Sequence, residues 1–189
     1  MDPFLDCGDL TKAKALRERL QCKSFDWYMK EVIPDLIRYY PPSVPPSGAW
    51  GQLRHLVTGL CIDPNVKKGV AVQVRKCSRS HDQDLQLTWN EDIRPGQTAE
   101  AAKKTCLDAS YRSKDILTWD CHNQHGNQLW KFNSSSLFHP SSKKCATVAA
   151  NKLQMVPCLD REDFKWEWQF LNETQLERFN KKPTKSIND

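Results

Sequence analysis

Residues 105–132, TCLDASYRSKDILTWDCHNQHGNQLWKF, concentrate the side chains with the most to offer a ligand. A carboxylate, Asp108, stands two residues after Cys106, and an indole, Trp119, stands two before Cys121. His122 follows, then Asn127, Gln128 and Trp130 in a Gly-Asn-Gln-x-Trp run. An ionised carboxylate accepts on two oxygens, an amide both donates and accepts, and an indole offers a broad apolar face. Such a set suits reversible binding. Each residue alone has a plainer reading: Asp108 as a turn residue, Trp119 as a core anchor of a small β domain. Their alignment within one segment favours a site. His122 and His125 have a metal-like spacing, but cysteines beside them are expected in disulfides, which argues against zinc. Residues 160–168, acidic and aromatic, read as a turn into a strand. A catalytic carboxylate pair would have to face a cleft at about 5–9 Å, and nothing in the sequence places one.

The cysteines constrain what holds this segment. There are eight, at 7, 22, 61, 77, 106, 121, 145 and 158, with no C-x-x-C. The last six fall into the local pairs Cys61/Cys77, Cys106/Cys121 and Cys145/Cys158, which suit closed disulfide loops better than zinc ligation. Each bridge is expected to contribute about 3 kcal/mol by restricting the unfolded chain. The sequons Asn133-Ser134-Ser135 and Asn172-Glu173-Thr174 fit the same oxidising, lumenal environment. No run of 18 or more apolar residues is present to span a membrane, and residues 1–9 lack the pattern of a signal peptide. The expectation is therefore the end of a longer protein. The net charge of +5 is mild and dispersed apart from the Lys103-Lys104, Lys143-Lys144 and Lys181-Lys182 pairs, which argues against nucleic-acid binding.

Along the chain, residues 9–33 carry helical periodicity. Leu10, Ala13, Leu16 and Leu20 form one stripe, with Asp9 or Thr11 as N-cap; Phe25, Tyr28, Met29 and Val32 form a second, capped by Ser24 and stopped by Pro34. Two such helices are too small to be stable alone and need something to dock on. Residues 41–48, PPSVPPSG, form an extended Pro-rich spacer. From residue 49 the pattern becomes short apolar runs between turn residues, at 52–57, 70–74, 116–119, 129–132, 153–156 and 166–171. Residues 98–104 are expected to form a helical turn, and the polar, basic residues 176–189 a disordered tail. The runs GLCID to VRKC, TCLD to TWDC and KCAT to VPC repeat at a period of about forty residues. Three copies are too few for a propeller. They favour an all-β, closed β-trefoil over residues 49–175, preceded by a short helical segment in residues 1–40.

The Cys-x-Asp, Cys-His-x-x-x-Gly-Asn-Gln-x-Trp pattern resembles the ricin B-type lectin repeat. Residues 15–35, ALRERLQCKSFDWYMKEVIPD, resemble the end of the catalytic domain of polypeptide N-acetylgalactosaminyltransferases, and the two occur in that family's order. The resemblance implies a galactose- or N-acetylgalactosamine-binding site. In it Asp108 accepts from sugar hydroxyls, Trp119 covers the C–H face, Asn127 closes the polar ring, His122 lines the pocket, Gln128 belongs to the signature and orients its neighbours, and Trp130 is core. Repeat one keeps Asp63, a weak second site at best, because Arg75 replaces the ring. In repeat three, Thr147 and Val156 replace carboxylate and ring, and Trp166 and Trp168 read as packing residues.

The resemblance further implies glycopeptide partners bearing galactose or GalNAc, a Golgi or secretory location, and membrane attachment only through an N-terminal region absent from this sequence. No cofactor is expected for this chain and it is not expected to transfer sugar, because the family's manganese-dependent catalytic domain is missing. Cys22 resembles the family cysteine that bridges to an upstream partner, with Cys7 as a substitute. The alternative is a trefoil that has lost sugar binding and serves as a structural or protein-interaction domain.

Overall fold

The computed structural model describes residues 8–34, 43–64, 67–78, 81–96, 104–110 and 113–181. They divide into two units at Pro45/Pro46. In the first, α1 (Thr11–Arg19) follows Asp9, whose Oδ1 accepts from the Thr11 backbone N–H at 2.9 Å. Left-handed Gln21 (φ 49°) breaks the helical path. Ser24 then caps α2 (Phe25–Trp27), its Oγ accepting from the Trp27 N–H at 3.0 Å, and the chain continues as a π-helical turn, Tyr28–Val32. The second stripe is thus wound differently from the single α-helix that its spacing predicts. Neither helix nor the π turn contains a buried residue.

Among its described residues the second unit holds twelve strands: β1 (Ala49–His55), β2 (Leu60–Asp63), β3 (Gln73–Lys76), β4 (Asp84–Leu87), β5 (Ile93–Pro95), β6 (Thr105–Asp108), β7 (Leu117–Asp120), β8 (Lys131–Asn133), β9 (Ser136–His139), β10 (Lys144–Ala149), β11 (Lys152–Pro157) and β12 (Trp166–Leu171). Three antiparallel hairpins, β2–β3, β6–β7 and β10–β11, carry the disulfides Cys61–Cys77, Cys106–Cys121 and Cys145–Cys158. The hairpins meet in a closed ring of backbone bonds: Val72 N–H donates to Ile116 O at 2.9 Å, Ile116 to Leu153 at 3.0 Å and Leu153 to Val72 at 2.9 Å. All three side chains are fully buried. The remaining strands form a barrel in the order β12–β1–β4–β5 and β8–β9. Single bonds close it, Trp130 N–H to Glu91 O at 2.8 Å and Trp166 N–H to Ser135 O at 2.7 Å. This is the trefoil solution to exposed sheet edges: pseudo-threefold closure leaves each strand a neighbour.

The core follows the repeat. Trp130 and Trp166 are fully buried and donate equivalent indole bonds, to Leu107 O and Ala146 O, each at 3.0 Å. Leu85 occupies the corresponding place in repeat one. Trp166 and Trp168 are packing residues, as the sequence indicates.

The expected disordered tail from residue 176 is corrected as far as residue 181: α3 (Glu173–Lys181) is an ordered helix. Asn172 caps it, accepting from the Gln175 N–H at 3.2 Å. Leu176 and Phe179, three apart on one face, pack on the barrel, and Phe179 is 5% exposed. Gly48 makes room, since a Cβ there would lie 2.6 Å from the Phe179 ring. Lys131 Nζ donates to the Phe179 carbonyl at 2.6 Å. The basic residues beyond 181, residues 98–103 of the expected helical turn, and Cys7 lie outside the described residues.

Candidate functional site

Strand register brings the site residues together. Cys106 pairs with Trp119 and Asp108 with Leu117 across β6–β7, so Cys106, Asp108 and Trp119 share one face of the hairpin. Leu107 and Thr118 point the other way and are fully buried. Asp108 and Trp119 are therefore diagonal neighbours, roughly 7–8 Å apart along the backbone. After Cys121 the chain doubles back through left-handed Asn123, His125 and Gly126. The 3-10 turn Gly126–Gln128 then lies over Asp108.

The polar network there has a definite direction. Asp108 Oδ2 accepts from Asn127 Nδ2 at 2.6 Å and from Gln128 Nε2 at 3.0 Å. His122 Nδ1 accepts from the Gln124 N–H at 3.1 Å. That leaves the proton of a neutral imidazole on Nε2, which donates to Asn127 Oδ1 at 3.0 Å. Both atoms of the Asn127 amide are thereby assigned. Gln128 is 2% exposed: its Nε2 also donates to Asp120 O at 2.8 Å, and its Oε1 accepts from the His122 N–H at 3.1 Å. Gln128 therefore holds the carboxylate and the loop in place. Asp108 is largely buried, with its Oδ1 unpartnered among the described residues.

Trp119 is 48% exposed beside this carboxylate. It is braced from repeat one. A Cβ on Gly69 (φ 72°) would sit 3.0 Å from Trp119 Cζ3. Gly69 N–H donates to Thr118 O at 2.8 Å, Thr118 Oγ1 donates to Lys67 O at 2.7 Å, and Lys68 pairs with Asp120 at 2.5 Å. The loop 67–69 is thus part of the site, and nothing in the second repeat's own motif points to it.

The other two repeats are built alike but occupied internally. Arg75, opposite Cys61, pairs through Nε with Asp63 Oδ2 at 3.0 Å and donates to Gln73 at 3.0 Å. A cation thus engages the carboxylate where the second repeat has a ring. Gln83 is the counterpart of Gln128, accepting from the Ser78 N–H at 2.8 Å and donating to Lys76 O at 3.3 Å. Its spacing from Cys77 is one residue shorter than that of Gln128 from Cys121, which hides it from a match on Gly-Asn-Gln. In repeat three, Thr147 Oγ1 donates to Asp163 O at 2.6 Å, and Phe164 stands at the glutamine position.

The threefold-repeated domain that carries these groups matches a known family. Residues 49–166 match the model for the ricin-type beta-trefoil lectin domain. The chain belongs to that family. As a lectin domain it is a carbohydrate-binding type of module. Its homologues are polypeptide N-acetylgalactosaminyltransferases: number 10 of Mus musculus is 37% identical over 94% of this chain, and N-acetylgalactosaminyltransferase 4 of Drosophila melanogaster is 35% identical over 93%. This chain spans only 31% and 29% of those relatives, and the part matched is the small C-terminal one that carries the lectin, not the catalytic domain. Among solved structures, GalNAc-T7 with UDP, GalNAc and Mn2+ superposes at TM-score 0.57 and 24% identity, covering 89% of this chain and 31% of that one. A non-toxic homologue of type II RIPs from Momordica charantia, in complex with α-methyl-D-galactoside, superposes at 0.56 and 18% identity, covering 66% and 49%. These likenesses establish the trefoil fold.

The lectin's described residues contain no group of three His, Cys, Asp or Glu able to hold a metal. His122 and His125 do not belong to such a donor set. No helix among the described residues is long and apolar enough to cross a membrane. Cys22 is exposed and outside any disulfide among the described residues. The three disulfides fit a secretory location.

Proposed function

We propose that the second repeat binds a terminal galactose or N-acetylgalactosamine residue. The observation that carries this reading is the directed chain His122, Asn127, Asp108, which leaves an acceptor oxygen beside the open face of Trp119. Asp108 Oδ1 accepts from vicinal hydroxyls as a charge-assisted acceptor, the indole covers the sugar's C–H face, and the amide and imidazole close the polar side. Gln128 fixes the carboxylate beforehand, so little ordering is needed on binding. A single shallow site of this kind binds in the millimolar range, about 4 kcal/mol. In a longer protein such affinity serves as a tether, and the role proposed is to direct an attached GalNAc-transferase of the Golgi toward glycopeptides already bearing GalNAc. The Mn2+ of the solved GalNAc-T7 complex would then be a property of the missing catalytic part.

The test is titration with methyl α-GalNAc, followed by tryptophan fluorescence. Wild type and Asp63→Ala are expected to saturate at similar millimolar sugar, and Trp119→Ala and Asp108→Ala to lose the part of the response that belongs to the second repeat. Undiminished binding in both second-repeat variants refutes the assignment. A flat wild-type response leaves the trefoil as a structural or protein-interaction domain, the role that the internally occupied first and third repeats already suggest for two-thirds of it.

A further inference from the structure

A second aromatic surface lies on the barrel wall, away from the three hairpin sites. Trp50 on β1 pairs with Phe170 of β12 on one side and Gln86 of β4 on the other. The three residues form a row across adjacent strands. The rings of Trp50 and Phe170 stack with centroids 5.7 Å apart and remain 40% and 47% exposed. They line a cleft of about 570 Å3 with Gln52, Asp84, Gln86 and Gln169, a volume within the usual range of small-molecule sites.

The cleft is shaped by an irregularity in the β1–β12 register between Trp50 and Leu53. Gly51 (φ 87°) sits there, and a Cβ would meet Gln169 Oε1 at 2.6 Å, so only glycine lets Gln169 lie across the strand. Gln169 Oε1 accepts from the Gln52 N–H at 3.2 Å, Gln86 Oε1 from the Ser47 hydroxyl at 3.4 Å, and Asp84 Oδ2 from His81 Nδ1 at 2.7 Å. Each of these three side chains is thereby held by one oxygen. Gln169 Nε2, Gln86 Nε2 and Asp84 Oδ1 have no partner among the described residues. Two amide donors and a carboxylate acceptor thus surround an exposed indole, the same groups as at Asp108, Trp119 and Asn127 but drawn from different strands.

We infer that this cleft is a second saccharide subsite, taking a neutral hexopyranoside whose C–H face lies on the Trp50–Phe170 pair. Neutrality follows from Asp84, whose carboxylate on the cleft wall disfavours an anionic ligand, and from the described lining residues, none of which is Lys or Arg. The mixed donors and acceptor fit a ring of hydroxyls, whereas an apolar partner would bury them without partners at a cost. The inference stands independently of the Asp108 site.

The test follows the 15N–1H indole signals of the full chain during titration with the methyl glycosides of GalNAc, galactose and N-acetylglucosamine to about 20 mM, which saturates a millimolar site. The Trp50 signal is expected to shift saturably with at least one glycoside, in wild type and equally in Trp119→Ala. Exposed Gln86→Ala, which leaves the barrel core intact, is expected to weaken that shift at least threefold, and Trp50→Ala to leave only the Trp119 response. A Trp50 signal unmoved by all three sugars overturns the inference, as does a shift that vanishes with Trp119→Ala or survives Gln86→Ala unchanged. Concentration-dependent broadening of Trp50 without sugar would also overturn it, marking the pair as a protein contact.

Discussion

Gly69→Ala tests whether the first repeat sets the ring of the second. The new Cβ would lie 3.0 Å from Trp119 Cζ3, against about 3.5–4.0 Å for relaxed carbon contact, so the ring must yield by about half an ångström or more. Residue 69 also has φ 72°, where a side chain costs about 1–2 kcal/mol. The loop cannot swing freely away from Trp119, because Gly69 N–H, Lys67 O and Lys68 Nζ are all bonded to residues 118 and 120. The ring is half exposed and is the softer side of the contact. If a misplaced ring loses a typical aromatic contact, about 0.5–1.5 kcal/mol, affinity for methyl α-GalNAc falls about 2- to 12-fold at 1.4 kcal/mol per tenfold. Stability falls with it, by about 3 °C in Tm per kcal/mol for a domain of this size. Indole NMR titration gives the affinity and ring environment, and calorimetry gives the stability. A Trp119 signal displaced in the free variant with unchanged sugar affinity would refute the claim that ring position governs binding. An undisplaced signal would refute the bracing itself.

Gln128→Ala removes bonds to Asp108 Oδ2, Asp120 O and the His122 N–H inside a buried site, and is expected to cost about 2–4 kcal/mol in chemical denaturation and to weaken sugar binding, although Gln128 does not face the ligand. Phe179→Ala should lose about 3–5 kcal/mol, measured the same way, because α3 is held on the barrel by that ring; unchanged stability would mean the helix is dispensable. His139 supplies a pH signature: burial against Trp130 holds its imidazole below the ordinary 6.5, so the unfolded chain takes up the proton first. Protons therefore favour unfolding, and stability should be level above about pH 7.5, fall as the pH drops through 6.5, and stop falling from this source below the native pKa. Tm at pH 7.5 and 5.5 should differ less in His139→Gln than in wild type.

Much of the architecture is legible in the residues because the repeat is chemical as well as numerical. Six cysteines in three near-equal loops, each followed by a large apolar residue (Leu85, Trp130, Trp166) farther along, specify three equivalent hairpins, and closure is the way three such units avoid exposed edges. Asp108, Trp119 and Asn127 are legible for the same reason: the spacing to a disulfide fixes the register, and register fixes the face. The failures are equally specific. α3 escapes notice because its apolar face is only Leu176 and Phe179 in a polar stretch, too short a stripe to register until Gly48 opens the surface that receives it. Gln83 is hidden by a one-residue shorter loop that keeps its two loop bonds.

Composition and spacing by themselves determined the trefoil, the disulfides and the identity of the one repeat with a carboxylate, a ring and an amide. Tertiary structure decided what those groups are free to do. Asp63 and Asp108 are equivalent in sequence, yet Oδ2 of one is paired with the Arg75 cation while Oδ2 of the other is held by two neutral amides, because the residue opposite the first cysteine is a cation in one hairpin and a ring in the other. The brace of Gly69 on Trp119 and the row of Gln86, Trp50 and Phe170 join residues from different repeats or distant strands. Local periodicity carries no record of such neighbours, since barrel closure alone brings them together.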